Sequence, residues 1–121
     1  MLRLSFLVVA LMLSACRNDV EYLSGQELSS LFAHERKIAF ERTGYTGTAL
    51  LAADRTFEVT VPRLGRDTGE WWLDEDQICS RWVRFRQGRT LCAIVGKSPD
   101  GTYQGFTPSQ KVYVGDFRFI D

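Results

Sequence analysis

The 121-residue chain predicts a mainly β fold: a small antiparallel meander barrel of about eight strands behind one short N-terminal helix, with a two-sheet β-sandwich as the alternative. Three observations predict it. Apolar spacing falls from helical to alternating after Arg36 and stays alternating to the end. Turn-forming residues interrupt that alternation at short intervals. The last apolar run switches its inward parity at a glycine, as a strand does when a bulge lets a sheet bend and close. Composition agrees with a single packed core: 45% hydrophobic, 12% aromatic and 25% charged residues lie far from the signature of disorder, and the length suits one domain.

The first fifteen residues read as an export signal, with Arg3 near the start, an apolar stretch from Leu4 to Leu13, and small residues before Cys16. A membrane-spanning helix needs about 20 apolar residues, roughly twice this run. Leu13-Ser14-Ala15-Cys16 resembles the lipobox of bacterial lipoproteins, in which the cysteine is acylated and becomes the new N-terminus. The resemblance implies a signal peptide over 1–15, a lipidated tether over 16–22 and one domain over 23–121. Arg17 stands where an aspartate would favour inner-membrane retention, so it further implies an outer-membrane lipid anchor on the periplasmic face. Several acyl chains hold a protein stably where one does not, each buried methylene giving about 0.8 kcal/mol.

Ser24-Gly25-Gln26-Glu27 fits a capping box, followed by Leu28, Leu31 and Phe32 at helical spacing, which predicts a helix from Gly25 to about His34. Strands follow around Ile38 to Phe40, Thr48 to Ala53 and Phe57 to Val61, the second and third separated by a turn at Asp54-Arg55. Pro62 and the Gly65 to Gly69 stretch read as a break in the ladder. Glu70 to Leu73 and Gln77 to Phe85 form a hairpin about the acidic turn Asp74-Glu75-Asp76, with Trp71 and Trp72 on opposite faces. Thr90 to Val95, Thr102 to Phe106 and Val112 to Ile120 complete the set, with a strong turn at Ser98-Pro99-Asp100-Gly101 and a bulge at Gly115.

With Cys16 consumed by lipid, Cys79 and Cys92 remain, and an oxidising periplasm favours a disulfide between them. A two-residue turn at Gln87-Gly88 would set Cys92 opposite Val83 or Arg84, more than about 10 Å from Cys79 along the strand. The bond therefore requires a longer loop near Arg84 to Gln87, a bulge or another strand partner.

Few residues suggest chemistry. Fifteen basic residues balance fifteen acidic ones, and nucleic-acid binding without sequence preference needs a basic excess. His34 is the single histidine and reads as a helix-end residue. With Cys16 acylated, only Cys79, Cys92 and His34 could ligate zinc, short of a structural set. Asp74-Glu75-Asp76 is too short to wrap calcium, and Gly65 to Gly69 leads into a strand where a phosphate loop requires a helix. No cofactor, metal or catalytic residue is expected. The unusual patch is Arg81-Trp82-Val83-Arg84-Phe85-Arg86. Alternation sets Arg81 on the face of Cys79, Val83 and Phe85, where a buried guanidinium would need Glu70, Asp74 or a wet cavity. Arg81, Trp82 and Trp72 are the candidate binding residues.

The run Asp67 to Leu73, then Gln77 to Trp82, then Cys92 resembles a pattern in small exported bacterial proteins of uncharacterised function, which implies a compact β domain with a paired-cysteine hairpin. A looser similarity links the chain to periplasmic lipocalin-like barrels and to barrel-type inhibitors of secreted metalloproteases, although its two cysteines stand closer together than in those inhibitors. The expected function is a non-enzymatic envelope lipoprotein, held to the membrane by its N-terminal lipid and interacting with another envelope protein. The alternatives are a periplasmic carrier of a small apolar ligand and a protease-inhibitor-like barrel.

Overall fold

The structure, a computed structural model, describes residues 20–42 and 44–121; the signal segment, Cys16 and most of the tether lie outside the described residues. A helix, α1 (Gly25–Leu31), precedes eight strands: β1 (Arg36–Arg42), β2 (Tyr45–Leu51), β3 (Thr56–Val61), β4 (Gly65–Asp74), β5 (Gln77–Trp82), β6 (Thr90–Lys97), β7 (Tyr103–Phe106) and β8 (Tyr113–Phe119). Each strand pairs with the next, and β8 closes on β1, giving an antiparallel barrel. Closure leaves no free edge for another chain to extend.

Alternation sorts each strand into an inner and an outer row. Phe57, Val59 and Val61 of β3 point in and are buried, while Glu58 and Thr60 are exposed. On β4 the buried inner residues include Asp67 and Trp71. Gly69 stands between them, paired with Phe57 across the ladder. A Cβ at Gly69 would lie 2.6 Å from Phe57 Cζ, so the bare backbone is what seats the Phe57 ring. Gly65 to Gly69 thus begins a strand instead of breaking one, correcting the sequence-based expectation. Bulk comes from the partner strand, and the glycine is its socket.

One end of the barrel is plugged. Ser24 accepts from the Glu27 N–H at 3.2 Å while Glu27 Oε1 accepts from the Ser24 N–H at 3.2 Å, the expected capping box. Leu28 is wholly buried, and Phe32, just past the helix, packs on Trp71, Phe117 and Phe119 at centroid separations of 5.7, 6.3 and 5.7 Å. The helix stops at Leu31, short of His34, because Arg36 Nη1 takes the Leu31 carbonyl at 2.7 Å and Phe32 turns inward. Asp76 Oδ1 accepts from the Gly25 N–H at 2.6 Å, tying the helix start to the β4–β5 turn.

The first residue of β5, Gln77, pairs with Ile94, so Val95 to Lys97 of β6 extend past it. The N-terminal segment fills that gap: Leu23 N–H donates to the Val95 carbonyl at 2.7 Å, and Lys97 N–H to the Glu21 carbonyl at 3.4 Å. Tyr22 rests against Phe106, centroids 5.5 Å apart, beneath the Lys111 ammonium. Residues 20–22, read from sequence as solvated tether, lie against the outer wall, with Glu21 toward the plugged end.

The bulge falls where the parity switch points. Gly105 pairs with Gly115 but Phe106 pairs with Tyr113, leaving Val114 as the extra residue. Tyr113 and Asp116 then meet on the outer face. Hydrogen bonding to the Asp116 carboxylate, then burial and the charges of Asp116 and Glu41, push the Tyr113 phenol up to about 12.

An arginine-strapped apolar cavity as the candidate functional site

The unplugged end is built around Asp67. This carboxylate is 4% exposed and accepts from the N–H groups of Thr68, Arg84 and Phe85 at 2.9, 3.0 and 2.8 Å. Burial alone would raise its pKa. The Phe85, Thr68 and Arg84 backbone donors, with the Arg84 guanidinium 3.9 Å away, overcome that and hold the carboxyl below the usual range. These bonds draw the chain off the ladder, so β5 ends at Trp82 instead of running to Phe85. Residues 83–89 then form a longer loop, the first of the three arrangements that the cysteine spacing leaves open.

That loop crosses the open end. Within its one-turn segment, Phe85–Gly88, both Arg86 and Gln87 are left-handed, with φ of 59° and 57°. Such a conformation costs a non-glycine residue roughly 1–2 kcal/mol, and strain of this kind collects where a side chain must be aimed. Here it aims Arg86 over the Trp82 ring, 5.9 Å from its centroid, to donate to the Tyr45 hydroxyl at 3.3 Å on the β1–β2 side of the mouth.

Beneath this strap lies a cavity of about 190 Å³, running from Phe32 at the plug to Arg42 at the mouth. Phe40, Phe57, Trp71, Trp82 and Phe117 form much of its wall. The space exists because Ala49, Ala93 and Gly105 occupy inner positions that larger residues would fill. Two polar side chains belong to the inner rows of this wall: Ser80, whose hydroxyl accepts from the Trp82 indole N–H at 3.2 Å, and Arg42. Glu41 and Asp116 border the mouth, opposite each other on β1 and β8, but their parity sends both side chains outward.

Arg42 is the exceptional group. Half-buried at the end of β1, it is pushed below its ordinary pKa by desolvation, which the neighbouring Tyr45 only partly offsets. Among the described residues it has no carboxylate partner within 4.0 Å, and neither has Arg86. The loops of this end are basic. The four connections at the mouth, 43–44, 62–64, 83–89 and 107–112, carry Arg63, Arg84, Arg86, Arg89 and Lys111 and no carboxylate. At the plugged end, the connections 52–55, 75–76 and 98–102 carry Asp54, Glu75, Asp76 and Asp100 against Arg55 alone.

Of the residues singled out from sequence, Trp82 belongs to this site, as a buried wall residue. Trp72 does not: it lies on the outer face, paired in register with Cys79. Arg81 shares that outer face. It meets Glu70 at 3.6 Å, the partner expected for it, but with both side chains more than half exposed; such a pair adds little stability. The expected placing of Arg81 among apolar neighbours is therefore corrected, since the face it shares with Cys79 is the exterior. Cys79 and Cys92 stand directly opposite one another and are joined, Cα atoms 4.0 Å apart. His34 is exposed near the plugged end, remote from the cavity in the topology. Asp67, Arg42 and Tyr45 were not singled out from sequence; the one available signal was an acid at an inner strand position, two residues before Gly69.

Among the described residues no helix is long and apolar enough to cross a membrane, and no group of three or more His, Cys, Asp or Glu could hold a metal ion. Comparison with protein-family models, with curated proteins and with solved structures finds no match for this chain.

Proposed function

We propose that this chain is a non-enzymatic envelope lipoprotein, anchored through Cys16, whose barrel carries one small apolar molecule. The observation that carries the reading is the apolar cavity itself, closed by α1 at one end and reached past Arg42 at the other. Eight strands are just wide enough to hold a small ligand, and an apolar cavity of about 150 Å³ suffices for benzene. The 190 Å³ available here suits a single ring or a short chain.

Toluene titrated into the purified mature domain tests the cavity. It is expected to raise the melting temperature in a saturable way and to shift methyl and aromatic NMR signals of Val59, Ala93 and Phe117. Ala93→Leu, which extends a side chain into the space, is expected to abolish both effects. Toluene that leaves the wild-type melting temperature and these signals unchanged would remove the basis of the reading. The anchor is tested separately, by incorporation of labelled palmitate in the native host and its loss in Cys16→Ser.

A further inference from the structure

The cavity's walls specify an apolar ligand but not its charge; the mouth does. Arg42 reaches the cavity from the inner row of β1, and Arg86 is carried across from the β5–β6 loop. Both converge on Tyr45: Arg42 is its cross-strand partner, and Arg86 donates to its hydroxyl. A phenol is a poor counter-ion for two guanidinium groups, and among the described residues neither has a carboxylate within ion-pairing distance. A half-buried cation without an anion is costly. Yet the chain holds Arg86 there through two consecutive left-handed residues and a buried aspartate that fixes the loop.

Resting on the ligand-carrier reading, we propose that the cavity takes a small apolar carboxylate, its ring or short chain among Phe40, Ala93 and Phe117 and its carboxylate at Arg42 and Arg86. Guanidinium is suited to this partner because its fork of N–H donors matches the two carboxylate oxygens. Of the five cations of the mouth connections, Arg84 meets Asp67 at 3.9 Å, while Arg63, Arg86, Arg89 and Lys111 have no carboxylate within 4.0 Å among the described residues and add a field that draws an anion to this end. A neutral molecule would fill the same walls but leave both arginines as they are, and an ammonium would face them directly.

Three probes with one ring and different charge separate these cases: phenylacetate, toluene and phenethylamine, titrated by calorimetry and ligand-observed NMR near pH 7 in low salt. Phenylacetate is expected to bind at least about tenfold more tightly than toluene, and phenethylamine more weakly than either. Phenylacetate affinity should fall several-fold in 0.5 M NaCl while toluene affinity does not. Arg86→Gln, on an exposed loop, and Arg42→Gln should each lower phenylacetate affinity about tenfold and narrow the preference for phenylacetate over toluene, with thermal melts confirming that each variant folds. Toluene binding as tightly as phenylacetate, or both arginine variants retaining wild-type phenylacetate affinity, would overturn the carboxylate proposal while leaving the cavity reading intact. Failure of toluene to bind would remove the cavity reading, and this proposal with it.

Discussion

Replacing Asp67 with alanine tests whether the mouth is built as described. The carboxylate accepts three backbone N–H bonds, at 2.8 to 3.0 Å, while only 4% exposed. Hydrogen bonds to a charged group contribute roughly 1.5–3 kcal/mol each, and truncation leaves the Arg84 and Phe85 donors without their acceptor. The three bonds share one acceptor and water can enter at the loop, so they will not add fully; a loss of about 3 kcal/mol is expected. For a domain of this size that is roughly 10–20 °C in melting temperature. Urea unfolding followed by tryptophan fluorescence gives the free energy, and amide exchange at Arg84 and Phe85 gives the local effect. The pH dependence has a definite sign. Because Asp67 has a lowered pKa when folded, its contribution is present above the ordinary aspartate range, about 3.9, and is lost as pH falls through the folded value. Asp54, Asp100 and Asp121 are lowered as well and share that acid limb, so the diagnostic quantity is the wild-type minus variant difference. It should shrink steadily below about pH 4. A variant within about 0.5 kcal/mol of wild type, the ordinary range for surface substitutions, would refute this account of the loop.

The cysteine pair closes a loop with a sequence separation of 13, and Cys79→Ser with Cys92→Ser is expected to cost about 3 kcal/mol by chemical denaturation, with the fold retained. An unchanged denaturation midpoint would show that the bond does not constrain the unfolded chain. At Gly69, an alanine Cβ would meet both Phe57 Cζ at 2.6 Å and the Arg81 carbonyl. Overpacking there should cost about 1–3 kcal/mol, and Phe57→Leu in the same chain should relieve part of it. Simple additivity of the two substitutions would show that Gly69 is not the socket of that ring.

What could be read in advance and what could not differ in the range of the interactions involved. Trp71 and Trp72 have to face opposite ways on any strand, and Gly115 announces the bulge because Val112 and Val114 share one parity and Phe117 and Phe119 the other. A bond between Cys79 and Cys92, once expected, argued against a tight turn at Gln87-Gly88 and left a longer loop, a bulge or another strand partner; the structure has the loop of residues 83–89. Asp67 was hidden by its own neighbourhood: aspartate between Gly65 and Gly69 is turn chemistry locally, and only the N–H groups of Arg84 and Phe85, arriving from another strand end, make it an inner residue. The meeting of Arg86 with Tyr45 joins residues 41 apart in sequence. No periodicity encodes which loop will span a barrel's mouth. Arg81 stood out because it broke an apolar row, but alternation gives two rows without saying which is the interior.

The void itself is the most informative departure from good packing. Unfilled apolar space forfeits packing contacts that the surrounding side chains would otherwise make, so a cavity of about 190 Å³ lowers stability relative to a filled core. Selection for stability alone would remove it with a single larger side chain at Ala49 or Ala93, both on the inner wall. Ala93→Leu therefore distinguishes an imperfectly packed core from a kept space. The three added carbons extend into the cavity that Ala93 lines, and about 0.8 kcal/mol per methylene-sized group, less the rotamer entropy of leucine, predicts a net stabilisation of about 1–2 kcal/mol. The melting temperature should rise by roughly 5–10 °C while toluene and phenylacetate binding disappear, the opposition between stability and function expected of a binding site. Destabilisation by Ala93→Leu would mean that the wall cannot accept the side chain, and that the space beside Ala93 is not open to a ligand either.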